Sequence, residues 1–219
     1  MYQRMLIIFL FLFMQESLFA EAPLQQTKGV LEKLLEGNVR YINQKLELCL
    51  NTATSREGSS SKQKPIAAIV CCSDSRVPPE IIFDQAIGSL FVTRLAGNLV
   101  DNFSYGSLEY AVKNLGVSFI MVLGHERCGV METFLKTLKE KQYLEGHIEE
   151  LVLAVYPAIQ DVKDINNYTV DDLVKKNVLH IVHALKETAP ILSEKYAGGQ
   201  LEIVGAFYDL STGKVSVLK

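Results

Sequence analysis

Two short clusters of reactive side chains stand out in the sequence, and each follows a run of apolar residues. The first, CSDSR, spans 72–76, and the second, HERCG, spans 125–129. His125 and Cys128 have the i, i+3 spacing that places both ligand atoms on one side of the first turn of a helix. Together with Cys72 they supply two thiolates and one imidazole, which is the ligand set of an open, catalytic zinc site. The alternative is that these cysteines are plain core residues.

The pattern of apolar residues along the chain predicts the strands and helices that must position these two clusters. Continuous apolar runs are typical of strands buried on both faces, and they occur at 65–71, 89–93, 118–123 and 202–208. Helical patterns outside these runs occur at 25–50, 105–115, 130–139, 146–159 and 170–186. The stretch 51–64 is rich in Ser, Thr, Gly and Lys, and is predicted to be a loop.

Strands that alternate with helices predict an α/β fold with a mainly parallel central sheet of about four strands. We expect helices on its flanks, an N-terminal helical arm, and an edge strand at 214–218. Because the carboxyl ends of parallel strands lie at one edge of the sheet, the two reactive clusters are expected to meet there.

The composition limits the classes of function. The chain has 219 residues, of which 48% are hydrophobic and 21% charged, as in a globular protein with one substantial core. No internal repeat or linker divides it, so 21–219 is predicted to form a single domain. The formal net charge is -3 and Lys and Arg form no block, which argues against nucleic acid as a partner.

Residues 1–20 differ from the rest of the chain. Arg4 precedes an uninterrupted apolar run from Met5 to Met14, which is typical of a cleavable secretory signal, here cut after Ala20. The run is much shorter than the about 20 residues that a membrane-spanning helix needs, so no stable membrane span is expected after processing. An uncleaved anchor and an apolar helix packed on the core are the alternatives. The main prediction places the mature protein in the periplasm or outside the cell.

The cysteines form a poor disulfide framework. Cys71 and Cys72 are adjacent, and a bridge between neighbours closes a strained ring. We expect Cys49 and Cys71 to be packing residues, with a Cys49–Cys71 disulfide as the alternative. In an exported protein, the thiolates of Cys72 and Cys128 must bind metal before they oxidise.

Both clusters, with their flanks, resemble the β-class carbonic anhydrases. The shared motifs are CSDSRV at 72–77, RLAGN at 94–98, GSLEYAV at 106–112 and GHERCG at 124–129. The resemblance extends from about Gly29 to Leu210. It implies reversible hydration of carbon dioxide to bicarbonate, with one zinc ion per chain. In this family the ligands would be Cys72, His125 and Cys128.

The resemblance also implies that Asp74 and Arg76 form a catalytic dyad. Zinc lowers the pKa of its bound water towards 7, so that hydroxide is available near neutral pH. Asp74 would accept the hydrogen of that hydroxide, and Arg76 would hold Asp74 ionised and in place. In some family members the aspartate instead occupies the fourth zinc position. Since Ile69 stands where one branch has a tryptophan, the water-bound form is expected at neutral pH.

The resemblance further implies a substrate pocket that is shared across a homodimer or a higher even oligomer. Its residues would be Gln63, Phe91, Tyr110 and Gly129. Core packing is the alternative for Phe91 and Tyr110, and a plain helix-start glycine is the alternative for Gly129. The remaining histidines match no family motif and are expected on the surface or on helix faces: His147, His180 and His183.

Two other functions remain open at this point. The same zinc site could hydrolyse carbonyl sulfide or carbon disulfide, as in a few relatives of this fold. A non-catalytic zinc-binding protein is the second alternative, and the presence of both Asp74 and Arg76 counts against it.

Overall fold

A computed structural model describes residues 24–47, 52–141 and 143–219 of the chain. Within these ranges one sheet is formed by Ala67–Cys72 (β1), Leu90–Leu95 (β2), Phe119–His125 (β3), Glu202–Tyr208 (β4) and Val215–Val217 (β5). The spatial order is β2-β1-β3-β4-β5. The first four strands are parallel to their neighbours, and β5 is antiparallel to β4. The predicted α/β fold, with a parallel sheet and an edge strand, is confirmed.

Helices cover both faces of the sheet. The α-helices are α1 (Leu24–Ile42), α2 (Ala53–Ser60), α3 (Pro79–Ile82), α4 (Asn102–Asn114), α5 (Gly129–Glu140), α6 (Ile148–Leu153), α7 (Val170–Glu187) and α8 (Ile191–Ala197). Short 3-10 helices lie at Ala96–Asn98, Tyr156–Ile159 and Ile165–Asn167. Of these elements, α3, α8 and the 3-10 helices at 96–98 and 165–167 had no counterpart in the predicted pattern.

Three predicted segments are corrected by the structure. The predicted loop at 51–64 contains α2, which begins after the N-cap residue Thr52 and has no buried residue, so no apolar periodicity revealed it. The helix predicted at 25–50 ends at Ile42. The helix predicted at 146–159 ends at Leu153 and is followed by a 3-10 turn, since Pro157 has no N–H to donate and its ring clashes with the carbonyl four residues earlier.

The alternation of side chains along β1 divides the molecule into two cores. Cys72 belongs to the core on the face covered by α4, α5 and α7, which includes Leu108 and Leu173. Cys71 belongs to the core on the opposite face, with Leu34 of α1 and residues around α3. The two adjacent cysteines therefore lie on opposite sides of the sheet.

Helix α7 packs directly on the backbone of the sheet. A Cβ atom on Gly124 of β3 would lie 2.5 Å from Cγ1 of Val174, and one on Gly205 of β4 would lie 2.8 Å from Cγ1 of Val178. Neither position has room for a larger residue. The glycines therefore fix how closely α7 approaches the strands that lead to the reactive clusters.

Several predictions concern residues outside the described ranges. The signal segment 1–20 and Cys49 both lie there. Within 24–47, 52–141 and 143–219, no helix has the length and apolar character needed to cross a membrane.

Candidate metal centre

Cys72, His125 and Cys128 meet at the carboxyl edge of the sheet. Their ligand atoms all lie within 4.8 Å of one another, and all three residues are buried. Cys72 and His125 are the last residues of the neighbouring strands β1 and β3, and Cys128 is the N-cap residue of α5. The predicted meeting of the two clusters is therefore observed. It depends on both strands running one or two residues beyond their predicted ends.

The imidazole of His125 is oriented for metal binding. Its Nδ1 lies 2.9 Å from the carbonyl oxygen of Glu126. Because a carbonyl only accepts, Nδ1 carries the hydrogen and Nε2 keeps its lone pair. Nε2 is buried and has no hydrogen-bond partner within the described part of the chain. A buried, unpaired lone pair beside two sulfur atoms is what a metal ligand offers.

The thiols of Cys72 and Cys128 are hydrogen-bonded to each other. Cys72 Sγ accepts a hydrogen bond from the Cys128 thiol, which is the main reason why the pKa of Cys72 is lowered despite its burial. The backbone N–H groups of Gly97 and Asp74 donate to the same sulfur, at 3.2 and 3.4 Å. The pairing with Cys72 and burial both raise the pKa of Cys128. Because zinc binds thiolates, a bound dication would displace the thiol protons of Cys72 and Cys128.

These donors fit a single zinc ion. Zinc takes tetrahedral sets of sulfur and nitrogen ligands, and three protein ligands leave one position for a non-protein group. The fit rests on the donor types, their mutual distances and the unpaired Nε2 of His125.

Asp74 and Arg76 lie beside this cluster. Asp74 Oδ2 is 3.9 Å from Nε2 of His125. Arg76 donates from Nε to Oδ1 at 2.9 Å and from Nη2 to Oδ2 at 2.7 Å. These bonds lower the pKa of Asp74 to about 2, against the opposing effect of partial burial. Asp74 is therefore anionic over the whole neutral range.

Arg94 was quoted in the sequence only as part of a motif, and the structure gives it a role at this site. Its Nε donates to the carbonyl of Cys72 at 3.0 Å, and its Nη2 donates to the carbonyl of Asp74 at 2.7 Å. It therefore holds the chain that leaves β1 on both sides of Ser73. The sequence could have indicated this role, because Arg94 is the one charged residue in a strand that ends near the cluster.

Of the predicted pocket residues, Gly129 directly follows Cys128, and the other three lie outside the elements that supply the cluster. Gln63 is exposed in the segment before β1. Phe91, on β2, lines a cavity of about 320 Å³ with Arg94 and Phe103. Tyr110, on α4, is 49% exposed. Gly129 is the first residue of α5, where backbone N–H groups have no partner within the helix.

The other predicted residues lie where expected. Cys71 is a free, fully buried thiol, and burial raises its pKa to about 12. His147 is exposed and pairs with Glu150 at 3.1 Å. His180, on α7, has a pKa lowered by burial and by the neighbouring His183.

A family model described as carbonic anhydrase matches residues 67–215. Carbonic anhydrase 2 of Mycobacterium tuberculosis H37Rv is 37% identical over 181 residues, which cover 83% of this chain and 87% of that protein. Carbonic anhydrase of Mycolicibacterium smegmatis is 34% identical over 184 residues, which cover 84% and 89%.

Solved structures give the same result. The β-carbonic anhydrase CcaA superposes with a TM-score of 0.67 at 26% identity, covering 86% of this chain and 95% of that one. The Coccomyxa β-carbonic anhydrase in complex with acetazolamide gives 0.65 at 28% identity, covering 86% of each chain. All the residues of the metal cluster and of the Asp74–Arg76 pair lie within the matched range 67–215.

Proposed function

The chain belongs to the β-class carbonic anhydrases, and from this premise we propose that it hydrates carbon dioxide reversibly at one zinc ion held by Cys72, His125 and Cys128. As a member of this family it is a carbonate dehydratase. The observation that supports the zinc proposal is the buried lone pair of His125 Nε2, aimed between two thiols with an anionic carboxylate 3.9 Å away.

When bound, zinc would lower the pKa of a water molecule so that a hydroxide nucleophile forms near neutral pH. Asp74 is ionised and therefore offers only hydrogen-bond acceptors. It would accept a hydrogen bond from that hydroxide and so direct the oxygen lone pair towards the carbon of carbon dioxide. Its position at the end of β1, two residues after Cys72, suits this task.

Two arginines keep Asp74 in this position. Arg76 binds both carboxylate oxygens, so the carboxylate plane is fixed as well as its charge. Arg94 binds the carbonyl of Asp74 and so fixes its backbone. Side chain and main chain are thus held by separate groups.

We propose the water-bound form as the neutral-pH state of the enzyme. For Asp74 to occupy the fourth zinc position, at least one carboxylate oxygen must leave Arg76. That step breaks a charge-assisted hydrogen bond of 2.7 or 2.9 Å. Both oxygens are engaged with Arg76 in the structure, which supports a carboxylate that lies beside the metal ligands without occupying the fourth zinc position.

We also propose that the substrate pocket is completed by a second copy of the chain in a homodimer or a higher even oligomer. Phe103 is 86% exposed and Tyr110 is 49% exposed, both on α4. Strand β2 is at the edge of the sheet, beside the cavity that Phe91 lines. An apolar surface next to an unpaired strand edge supports contact with another chain, which would bring Gln63 and Tyr110 to the pocket.

Residues 1–20 are proposed to be a cleaved signal, with 21–219 as a single mature domain in the periplasm or outside the cell. The support is Arg4 followed by the apolar run from Met5 to Met14. Amino-terminal sequencing of the exported protein tests this proposal, and a first residue other than Glu21 would move the cleavage site.

The central experiment measures zinc per chain and stopped-flow carbon dioxide hydration from about pH 6 to 9, which brackets the expected pKa of zinc-bound water. We expect one zinc ion per chain and hydration that rises with pH. Stoichiometric zinc without hydration at any of these pH values would refute the proposed activity and favour a non-catalytic zinc protein. Faster turnover of carbonyl sulfide than of carbon dioxide would favour the hydrolase alternative.

A further inference from the structure

Asn177 is a polar residue at an apolar position of helix α7. It is 1% exposed, and the buried residues around it on the helix are apolar, including Val174 and Val178. Its Nδ2 donates a 3.1 Å hydrogen bond to the carbonyl oxygen of Gly97, which is 80 positions away in the sequence. Its Oδ1 is also buried and has no partner among the described residues.

The cost of this amide needs an explanation. Burying an amide with one end unpaired disfavours folding, and an apolar side chain of the same shape would avoid that penalty. Helix formation does not explain an asparagine at this position either, because asparagine is a mediocre helix former. The contact with Gly97 is therefore the feature that accounts for an amide here.

Gly97 connects this contact to the metal centre. It lies in the 3-10 helix after β2, with φ of 73°, a conformation that glycine adopts without strain. Its carbonyl accepts from Asn177, and its N–H donates to Cys72 Sγ at 3.2 Å. Both polar backbone groups of Gly97 are thus engaged, one by α7 and the other by a zinc ligand.

The position of Asn177 is itself fixed. Val174 and Val178, three residues before it and one after it on α7, pack on Gly124 and Gly205, where no side chain fits between helix and sheet. A further anchor lies at the start of α7, where a carboxylate oxygen of Asp171 accepts from the backbone N–H of Arg127 at 2.9 Å. These contacts fix the position of helix α7, and with it the position of the Asn177 amide relative to Gly97.

We propose that Asn177 is a positioning residue for the zinc ligand Cys72, acting through Gly97. The Asn177–Gly97 hydrogen bond holds the Gly97 N–H against Cys72 Sγ, which stabilises the thiolate and sets the direction of its lone pairs. The role rests on the proposed zinc site. It adds a contribution from α7, an element that supplies none of the three ligands.

The test uses Asn177→Leu, which keeps the shape of the side chain but removes the donor and the unpaired acceptor. Asn177→Ala is the second variant, and Val182→Ala, also buried on α7, is the control for a packing loss. The full-length protein is loaded with zinc or with Co²⁺. Measurements are zinc affinity by chelator competition, the thiolate-to-cobalt charge-transfer band, and the thermal midpoint.

We expect Asn177→Leu and Asn177→Ala to bind zinc about tenfold more weakly and to shift the charge-transfer band, since loss of a group that orients a metal ligand typically lowers metal affinity about 10- to 100-fold. Asn177→Leu should keep a higher thermal midpoint than Asn177→Ala, because leucine fills the volume of the amide although it leaves the Gly97 carbonyl without its donor. Val182→Ala should lower the midpoint and leave the band unchanged. Wild-type affinity and band in Asn177→Leu would overturn this inference alone, whereas a wild-type protein that neither binds zinc nor hydrates carbon dioxide would overturn the proposed function.

Discussion

Arg76 donates three hydrogen bonds to the carboxylate of Asp74, although only one residue separates the two. The backbone N–H and Nε of Arg76 bind Oδ1, each at 2.9 Å, and Nη2 binds Oδ2 at 2.7 Å. This pairing depresses the pKa of Asp74 to about 2, so its charge is constant across the range in which a hydrase works. The pH dependence of hydration should therefore come from another group.

Replacing Asp74 with asparagine removes the charge and one acceptor while keeping the shape. We expect Asp74→Asn to lower carbon dioxide hydration by about 10- to 100-fold, with zinc content unchanged, because the attacking water loses its orienting acceptor. Asp161→Asn is the control, since Asp161 is an exposed carboxylate that pairs with Lys176. Hydration by Asp74→Asn within twofold of wild type would contradict the role given to Asp74.

Gly97→Ala should damage both stability and the zinc site. The φ of 73° disfavours alanine by about 1–2 kcal/mol, and the new Cβ would lie 3.1 Å from Cβ of Val130. Gly116→Ala is a matched control, with φ of 74° and nothing within 4 Å of its Cβ. Urea unfolding should show a loss in both variants, and chelator competition should show weaker zinc binding in Gly97→Ala alone.

Cys71 and Cys72 should respond oppositely to substitution. Cys72→Ala should abolish stoichiometric zinc binding, whereas Cys71→Ala should retain it and lose only packing energy, because Cys71 faces the other core. Burial raises the pKa of Cys71 to about 12, so this thiol should resist alkylation in the native protein at pH 8. Zinc analysis and mass spectrometry after iodoacetamide treatment measure both effects. Loss of zinc from Cys71→Ala would contradict the assignment.

The N-terminus of α7 should make stability depend on pH. The Thr169 hydroxyl accepts a hydrogen bond from the backbone N–H of Asp172. In return, the Asp172 carboxylate accepts hydrogen bonds from the hydroxyl and the backbone N–H of Thr169. These two bonds lower the pKa of Asp172. Since the folded pKa lies below the unfolded value of about 3.9, this contribution is present above that pH. It is lost as pH falls through the folded pKa.

Thr169→Ala should therefore cost about 1 kcal/mol at pH 7, measured by urea unfolding. The difference from wild type should shrink under acid conditions, where Asp172 is protonated. Thr169→Ser keeps the hydroxyl and should stay near wild type at both pH values. An equal loss at all pH values would show that the carboxylate does not contribute.

Phe103→Asp tests the proposed oligomer. Phe103 is 86% exposed beside the β2 edge, and a buried charge at an apolar interface is costly. We expect sedimentation equilibrium to show smaller species for this variant, together with reduced hydration because the pocket loses residues from the second chain. Lys113→Asp, at an exposed position on the same helix, should leave assembly unchanged. A wild-type protein that is monomeric at all concentrations would refute the shared pocket.

Sequence patterns located two of the proposed zinc ligands, Cys72 and His125, because two adjacent parallel strands end at them. Once the apolar runs before Cys72 and His125 are recognised as strands, the topology brings their ends together. Asn177 could not be found this way, since its partner is 80 positions distant and helix periodicity does not identify what a helix face touches. The sequence offered one indication of its role, which is that an amide side chain stands beside Val174 and Val178 on the apolar face of the helix. Gln63 lies in a segment that has no apolar periodicity, so its position relative to the sheet could not be predicted from the sequence pattern.

The opposite orientations of Cys71 and Cys72 make the choice of metal ligand a matter of strand register. A shift of β1 by one residue would exchange the two sulfurs between the faces of the sheet and place Ser73 where Cys72 now ends the strand. β1 is paired on both sides, with Leu90–Leu95 and with β3, which opposes any such shift. A deletion or insertion in the segment before Ala67 would therefore leave the metal site intact only if β1 kept its present register with both neighbouring strands. The pairing of β1 with β2 extends to the site itself, since Cys72 lies opposite Leu95, so the backbone that fixes the register also places the sulfur.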